Sequence, residues 1–356
     1  MNPLTGLSML LMMSLAFAGC SATRAATEPI PPSERVHIFY YNWYGAPLHQ
    51  PGYRHWQQGD RQPPDDIGAD FYPALGAYSS SDPRVLKQHM QWIRQAGTGV
   101  IVLSWWGRDS YEDQLTMPVL DAARDAGLKV AFHLEPYDGM TPPSLEADVR
   151  YLLDRYGQHP ALFRSAAHDH KPMFYIFETL RHPARSWRPV IDRLRAGDQP
   201  VMLIAQTTDL AFIVEAGFDG GYPYDVLAPF KDERFLASWP ALARAFADAG
   251  KLFIPSVGPG YIDDRAVPRG ADEPSAATTR DDGTAATYHR AWDAAIATTP
   301  QFISITSFNE WHEGTQIEPA ASKRVGDFVY RPSREGPEQY LNLTAELVRQ
   351  FLVASR

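Results

Sequence analysis

Two glutamates, Glu310 and Glu313, stand three residues apart directly after a run of β-type residues. If that turn is helical, side chains at this spacing project to the same side. Two buried carboxyl groups held together repel each other, so one of them keeps its proton to a higher pH than an ordinary glutamate does. Hydrolysis of a glycosidic bond requires one protonated and one ionised carboxyl group. A solvated acidic turn is the alternative, and the spacing alone does not decide between the two.

Other predicted strands also end in polar and aromatic side chains. The clusters lie at residues 40–44, 104–106, 133–137, 222–224 and 309–313. The carboxyl ends of the strands of a parallel barrel meet at one face, and barrel enzymes carry their active sites there. Convergence of carboxylates and aromatic rings at that face is therefore the site hypothesis.

His312 lies between the two glutamates and raises the question of a metal site. The segment lacks the paired histidines of a zinc-binding helix, so we predict a hydrogen-bonding role for His312. The acidic pairs at 65–66 and 263–264 are interpreted as cap or turn features. The sequence has no Gly-x-Ser-x-Gly elbow and no metal, nucleotide or flavin signature, and we predict no cofactor.

The elements that position these residues alternate between β-type and helical patterns. Predicted strands cover 37–43, 99–105, 128–135, 172–177, 200–206, 219–222, 252–257 and 302–308. Eight strands separated by amphipathic stretches predict a single α/β domain, a (β/α)8 TIM barrel. A doubly wound open sheet is the alternative, although no glycine-rich phosphate fingerprint follows the first strand.

Local signals mark the helices and loops of this barrel. The amphipathic stretches include 83–96, 145–156, 236–249 and 287–298. Asp82 and Pro83 predict a helix start, and three glycines just past helical patterns predict left-handed helix ends: Gly97, Gly127 and Gly250. Long segments at 45–81, 258–283 and 313–337 all follow predicted strands, so we expect long loops at the C-terminal face.

Composition limits the classes of partner. The chain has 356 residues, which suits one such domain, and its formal net charge of -9 argues against nucleic acid and anionic membrane surfaces as partners. A neutral polymer is compatible with that charge. Aromatic residues make up 12% of the chain. Core packing explains most of them, and a handful are expected to stack on sugar rings.

The first residues predict export. Residues 1–19 carry no charged side chain and include an apolar stretch at 7–17, which is typical of a signal peptide. The following Cys20 resembles the lipidated cysteine of a bacterial lipobox, and as the only cysteine it forms no internal disulfide. We expect a membrane-anchored lipoprotein, periplasmic or on the cell surface, with a tether at 20–34 and a catalytic domain at 35–356. A soluble secreted or periplasmic protein is the alternative.

Ordered motifs run through nearly the whole domain. They lie at 37–45, 63–68, 71–73, 132–137, 172–175, 217–220, 254–263 and 303–318, the last reading Ile-Ser-Ile-Thr-Ser-Phe-Asn-Glu-Trp-His-Glu-Gly-Thr-Gln-Ile-Glu. In these motifs the chain resembles glycoside hydrolase family 99, the endo-α-1,2-mannosidases and bacterial endo-α-1,2-mannanases. The resemblance implies a (β/α)8 barrel and a retaining, endo-acting enzyme whose substrate is α-mannan or another mannose-rich oligosaccharide.

The resemblance also implies how the two glutamates divide the reaction. The glutamate matching Glu310 acts as a base on the 2-hydroxyl of the sugar, and the one matching Glu313 protonates the leaving group and later activates water. The intermediate is a 1,2-anhydro sugar, which is an exception to the usual carboxylate nucleophile. By their place in the motifs, the implied substrate-binding residues are Tyr41, Trp106, His133, Glu135, Tyr222, Tyr224, Arg280 and Asn309.

Trp106 bears on the choice of substrate. Animal-type endomannosidases, which remove glucosylated mannose, typically have tyrosine at the matching position. An indole presents apolar surface better suited to mannose, so we expect cleavage of mannan, with glucosylated high-mannose N-glycans as the alternative substrate. A non-catalytic surface glycan-binding protein is the alternative of another class, and intact Glu310 and Glu313 argue against it. The sequence does not define the oligomeric state.

Overall fold

The computed structural model describes residues 30–224, 233–267, 279–280, 283–331 and 333–354. The described part of the chain alternates strands and helices in the predicted order. The strands of the main sheet are β1 (Ser33–Tyr40), β2 (Thr98–Trp105), β3 (Lys129–Leu134), β4 (Lys171–Ile176), β5 (Met202–Gln206), β6 (Gly220–Tyr222), β7 (Leu252–Phe253 and Ser256–Val257) and β8 (Ile303–Ile305). A two-residue strand, Arg164–Ser165, pairs with the start of β4.

Helices connect these strands. They are α1 (Pro83–Gln95), α2 (Tyr111–Gln114), α3 (Thr116–Asp125), α4 (Pro142–Tyr156), α5 (Ala184–Ala196), α6 (Leu210–Ala216), α7 (Glu233–Asp248), α8 (Ala286–Ala297) and α9 (Gln339–Ala354). Two short 3-10 helices lie at Ala166–His168 and Thr179–Arg181. No helix in the described ranges is long and apolar enough to cross a membrane.

The sheet closes into a barrel. All neighbouring strands of the ring pair in parallel, and β1 pairs with β2 on one side and with β8 on the other. β7 is split because Pro255 has no N–H to donate. Its backbone still joins both neighbours, since Ile254 N donates to Gly221 O at 2.9 Å and Ser304 N donates to Pro255 O at 3.0 Å. The (β/α)8 prediction is confirmed, and the open-sheet alternative is wrong.

Side-chain alternation along the strands builds two cores. In β2, Ile101 and Leu103 belong to the cluster shared with the helices, whereas Val100 and Val102 belong to the cluster inside the barrel. This is the period of two that a pleated strand imposes. Inside the barrel, the Tyr175 hydroxyl lies 2.8 Å from His37 Nδ1, and burial lowers the pKa of His37 to about 3. His37 is therefore neutral and packs as a core residue.

The predicted helix ends are confirmed. The Asp82 side chain accepts a hydrogen bond from Arg84 N at 2.8 Å, which satisfies a free N–H at the start of α1. Gly97, Gly127 and Gly250 have φ angles of 78°, 71° and 66°. A left-handed backbone of this kind costs glycine little, so each helix can end there and the chain can turn towards the next strand.

The long loops meet over the C-terminal face, as expected. Tyr72–Pro73 in the first loop pairs antiparallel with Ala320–Ala321 in the last. The last loop also contains a hairpin of Lys323–Val325 and Phe328–Tyr330, although the sequence predicted irregular structure there. Strands of two or three residues are too short to produce a recognisable period.

The N-terminal predictions are only partly within the described residues. Strand β1 begins at Ser33, whose N–H donates to Gly97 O at 2.9 Å. Residues 1–29, with the predicted signal segment, Cys20 and most of the tether, lie outside the described residues.

Candidate active site

Both predicted catalytic glutamates follow β8 at the C-terminal face. They lie in a tight turn rather than a helix, because Gly314 N donates to Trp311 O at 3.3 Å and the turn ends there. Glu310 is 3% exposed and Glu313 is half-buried. The turn is fixed from both sides: Glu310 N donates to Ser307 Oγ at 2.8 Å, and Glu313 O accepts from Ile262 N at 2.7 Å.

The environment of Glu310 changes its acidity. Burial raises the pKa of Glu310 well above 4.5, and the charges of Glu313 and Glu135 raise it further. Hydrogen bonds from the backbone N–H groups of His312 and Glu313 lower the pKa of Glu310. Glu310 Oε1 accepts from His312 N at 3.0 Å. Within the pair, the raised pKa therefore belongs to Glu310, whereas the resemblance implies that Glu313 is the proton donor. A carboxylate with a high affinity for protons is a strong base once it is ionised.

Two tyrosines from different strands meet beside the glutamates. The hydroxyl groups of Tyr41 and Tyr224 are hydrogen-bonded to each other. Burial raises the pKa of both phenols, and the nearby charges of Glu310 and Glu313 add to that effect. Tyr224 has a left-handed φ of 51°, held by a hydrogen bond from its N to Ser256 Oγ at 3.0 Å. Both phenols stay protonated and available as hydrogen-bond donors.

Of the two tyrosines that follow β6, only Tyr224 pairs with Tyr41. Tyr222 is fully buried, and its hydroxyl lies 2.7 Å from His133 Nε2. Tyr222 therefore supports His133 from inside the barrel.

A chain of polar contacts leads from His133 to Trp106. His133 Nδ1 lies 2.9 Å from Glu135 Oε1, and the same oxygen accepts from Ser104 Oγ at 2.8 Å. Trp106 Nε1 in turn donates to Ser104 Oγ at 3.1 Å. These contacts fix Glu135 near the catalytic pair and orient the indole of Trp106 at the end of β2.

A group of packed aromatic rings beside the glutamates, formed by Trp43, His55 and Trp106, was not predicted from the sequence. Trp43 stacks on His55 with ring centroids 4.5 Å apart and planes 10° apart, and its ring lies 6.2 Å from that of Trp106. Burial lowers the pKa of His55 to about 3 and that of His312 to about 4, so both rings are neutral. His312 Nε2 contacts His55 O, which can only accept, so Nε2 carries the proton. Trp43 belongs to the cluster predicted at 40–44, whereas His55 lies in a loop whose sequence shows no recognisable pattern.

Two of the implied substrate-binding residues hold the backbone of the site. Asn309 is fully buried; its Oδ1 accepts from Tyr41 N and its Nδ2 donates to Tyr41 O, both at 2.8 Å. Arg280 Nη1 donates to Gly314 O at 2.6 Å and to Gln316 O at 3.1 Å. Asn309 therefore ties β1 to the turn that carries Glu310 and Glu313, and Arg280 holds the backbone just after Glu313.

Comparison with known proteins identifies the family. The sequence profile of glycosyl hydrolase family 99 matches residues 31–353. The chain belongs to this family. It is 37% identical to the glycoprotein endo-alpha-1,2-mannosidase of Rattus norvegicus over 93% of this chain and 78% of that protein. It is 36% identical to a glycoprotein endo-alpha-1,2-mannosidase-like protein of Homo sapiens over 89% of this chain and 76% of that protein.

Solved structures agree with the assignment to family 99. The endo-alpha-mannosidase of Bacteroides thetaiotaomicron superposes with a TM-score of 0.83 at 35% identity, covering 91% of this chain and 99% of that one. The chain is thus a family 99 glycosidase, and the polar C-terminal face of its barrel is its candidate active site. The alternative of a non-catalytic glycan-binding protein is set aside.

The geometry of this family 99 site predicts its pH dependence. A glycosidase pair reacts with one proton on it and loses that proton only as the pH rises through the higher pKa of the pair. Burial and the charge of Glu313 place the pKa of Glu310 well above 4.5, so kcat/KM should fall on the alkaline side at a pH clearly above 4.5. The measurement is a profile of oligosaccharide cleavage from about pH 4 to about pH 9. A rate that falls as soon as the pH exceeds the ordinary pKa of a glutamate would contradict this prediction.

Proposed function

We propose that the chain is an endo-acting, retaining glycosidase that cleaves internal α-1,2-mannosidic linkages of α-mannan. The observation that carries the proposal is the mutually repelling pair of buried Glu310 and half-buried Glu313 at the carboxyl end of a family 99 barrel. The names of the similar proteins, endo-alpha-1,2-mannosidase and endo-alpha-mannosidase, support the linkage. The aromatic residues around the pair offer flat apolar faces to sugar rings.

The first step is displacement by the substrate's own hydroxyl. In an α-mannoside, O2 and the leaving oxygen are both axial and anti to each other, so O2 can attack C1 from behind. In an α-1,3/α-1,2-linked mannan, a mannose that carries the preceding sugar on O3 has a free 2-hydroxyl. Glu310 removes the proton of this hydroxyl, the O2–C1 bond forms, and the bond from C1 to the leaving oxygen breaks. Glu313 gives its proton to that oxygen. The pair carries one proton throughout, and the reactive form has it on Glu313.

The second step returns every group to its starting state. Glu313, now ionised, takes a proton from water, and the water oxygen attacks C1. The C1–O2 bond breaks, and O2 recovers its proton from Glu310. Two inversions at C1 give net retention. The strong proton affinity that burial gives Glu310 suits the first step, because a sugar hydroxyl is a very weak acid.

A substrate without the reacting hydroxyl tests this route. The purified protein is incubated with α-mannan and with a matched oligosaccharide whose cleaved mannose carries hydrogen in place of the 2-hydroxyl. Release of short oligosaccharides from mannan and no cleavage of the 2-deoxy compound are expected. Cleavage of the 2-deoxy compound at a comparable rate with retention would exclude the anhydro intermediate.

Trp106 supports mannan over a glucosylated glycan. Its indole is half-buried between Ser104 and the ring of Trp43, and its only polar atom is used on Ser104. The substrate therefore meets an apolar edge there, which offers nothing to a glucose 2-hydroxyl. Glucosylated high-mannose N-glycan remains the second candidate substrate. Proteins named glycoprotein endo-alpha-1,2-mannosidase are 36% and 37% identical to the chain, and the Bacteroides thetaiotaomicron endo-alpha-mannosidase is 35% identical.

Exchange of Trp106 should change the preference between these substrates. Trp106→Tyr is expected to lower the ratio of kcat/KM for mannan to that for a glucosylated oligomannose by up to about tenfold, since one polar contact is worth up to about 1.5 kcal/mol. The ratio is measured by letting both substrates compete in one reaction. An unchanged ratio, or wild-type enzyme that prefers the glucosylated substrate, would exclude the mannan assignment.

We also propose that Cys20 anchors the enzyme to a bacterial membrane. The support comes from the sequence at 18–20 and from the fold: β1 begins at Ser33, at the opposite end of the barrel from Glu310. An anchor at that end leaves the active site facing away from the membrane. In cells, Cys20→Ser should move the protein from the membrane fraction to the soluble exported fraction. Unchanged membrane association would argue against lipidation.

A further inference from the structure

A third carboxylate lies buried close to the catalytic turn. Glu318 is 2% exposed, and its Oε2 accepts from Trp311 Nε1 at 2.9 Å and from the Tyr78 hydroxyl at 2.8 Å. Its Oε1 lies 3.1 Å from His89 Nε2, on the fully buried face of α1. The indole N–H can only donate, so Oε2 must carry a free lone pair. A carboxylate at this position satisfies three buried polar groups at once.

His89 closes the far side of this cluster. Its Nδ1 lies 3.0 Å from the hydroxyl of Tyr40, the last residue of β1. With Nε2–H directed to Glu318 and Nδ1 accepting from Tyr40, every polar atom of the imidazole has a partner. Glu318 is thereby fixed between a barrel strand and the first helix, and its own orientation is determined by rigid elements.

Contacts lead from Glu318 to both neighbours of Glu310. The Tyr78 hydroxyl accepts from Asn309 Nδ2 at 3.2 Å, and the indole of Trp311 is held directly by Glu318. Tyr44 joins the same two residues, since its hydroxyl donates to Asn309 O at 3.0 Å and accepts from Trp311 N at 3.2 Å. The residues on each side of Glu310 are therefore tied to one buried network.

We propose that Glu318 is a positioning residue for the glycosidase reaction: through Trp311, Tyr78 and Asn309 it fixes the direction in which Glu310 meets the sugar. This inference rests on the catalytic role of Glu310 and Glu313. A buried charge is costly to desolvate, and apolar replacements of similar volume often stabilise a protein. A misplacement of about 1 Å in an active site can cost about 100-fold in rate. Compared with an apolar residue of similar volume, Glu318 therefore contributes to the position of Glu310 and not to the stability of the fold.

The test compares two buried carboxylates with the same kinds of partner. Asp113 is 5% exposed and accepts from Trp105 Nε1 and from the Tyr151 hydroxyl, both at 2.8 Å, but neither partner borders Glu310. Glu318→Ala and Asp113→Ala should lower the melting temperature to a similar extent. Only Glu318→Ala should lower kcat, by about 100-fold, with KM changed less than about threefold.

Two further variants keep the test decisive if Glu318→Ala does not fold. Tyr78→Phe removes only the hydroxyl between Glu318 and Asn309, and a loss in kcat of about tenfold is expected. Glu318→Gln keeps an oxygen for Trp311 and Tyr78 and should recover most of the rate. Glutamine keeps the contact with Tyr78, so Tyr78→Phe should still cost about tenfold in kcat when added to Glu318→Gln, whereas added to Glu318→Ala it should cost less than that.

The assay substrate separates this inference from the proposed specificity. An α-1,3-linked mannobiosyl fluoride is used beside mannan, because its reacting mannose has a free 2-hydroxyl and its leaving group departs without a proton. If the wild-type enzyme cleaves the fluoride but not mannan, the mannan proposal fails and the comparison of variants still stands on the fluoride. Wild-type kcat in Tyr78→Phe, or an equal loss of kcat in the Glu318 and Asp113 variants, would overturn the positioning role. So would a wild-type enzyme that cleaves neither compound.

Discussion

Glu313→Gln is expected to slow cleavage of α-mannan by roughly 10²–10⁴-fold, the usual contribution of a general acid. The amide keeps the size of the side chain but cannot protonate a sugar leaving group. Departure of an unprotonated sugar alkoxide then limits the reaction. The backbone of residue 313 should be unaffected, because its carbonyl is held by Ile262 N at 2.7 Å independently of the side chain.

A leaving group that needs no proton distinguishes this role from others. Hydrolysis of the mannobiosyl fluoride by Glu313→Gln should fall far less than hydrolysis of mannan. Azide should restore part of the remaining loss, because it opens the anhydro sugar without help from a base. Glu215, exposed on α6, provides the control: Glu215→Gln should cleave both substrates at wild-type rates. Equal losses on mannan and fluoride in Glu313→Gln would show that Glu313 is not the acid.

The barrel was predictable because its signals are local. Each signal lies within a few residues of the element that it predicts: buried β-branched residues in the strands, Asp82 before α1, and the glycines that follow the helices. All eight strands were predicted. The position of the proposed catalytic pair could be predicted for the same reason, since both glutamates belong to one turn after β8. The missed hairpin at 323–330 shows the limit, because its strands are too short to produce a period.

The supporting residues were not predictable, because their partners are distant in the sequence. The amide of Asn309 holds the backbone of Tyr41, 268 residues away, and no local pattern in the sequence indicates this contact. Glu318 was visible at the end of the longest motif, but its link to His89 spans 229 residues. Residue type identifies groups that can react. Whether a group faces the substrate or stands behind it depends on pairings that only the closed barrel makes.

Glu310→Gln should abolish cleavage of both mannan and the mannobiosyl fluoride, with losses of roughly 10²–10⁴-fold on each. The base is needed to activate the 2-hydroxyl whatever group leaves, so a better leaving group cannot compensate. This contrast with Glu313→Gln assigns the two roles from one pair of substrates. A Glu310→Gln variant that hydrolyses the fluoride at near the wild-type rate would disprove its role as the base.

The same substitution should make the folded protein more stable near neutral pH. Burial and the neighbouring carboxylates raise the folded-state pKa of Glu310 well above 4.5, so the protonated group is favoured in the folded state. The stability that protonated Glu310 contributes to the folded state is fully present below about pH 4.5 and is lost as the pH rises through the folded-state pKa. Glutamine stays neutral, so unfolding by urea should show a gain for Glu310→Gln of about 1 kcal/mol or more near neutral pH and none in acid. A gain that does not depend on pH would mean that the charge of Glu310 is not its cause.

A stability gain that appears only near neutral pH means that the wild-type enzyme gives up stability for a base strong enough to activate a sugar hydroxyl.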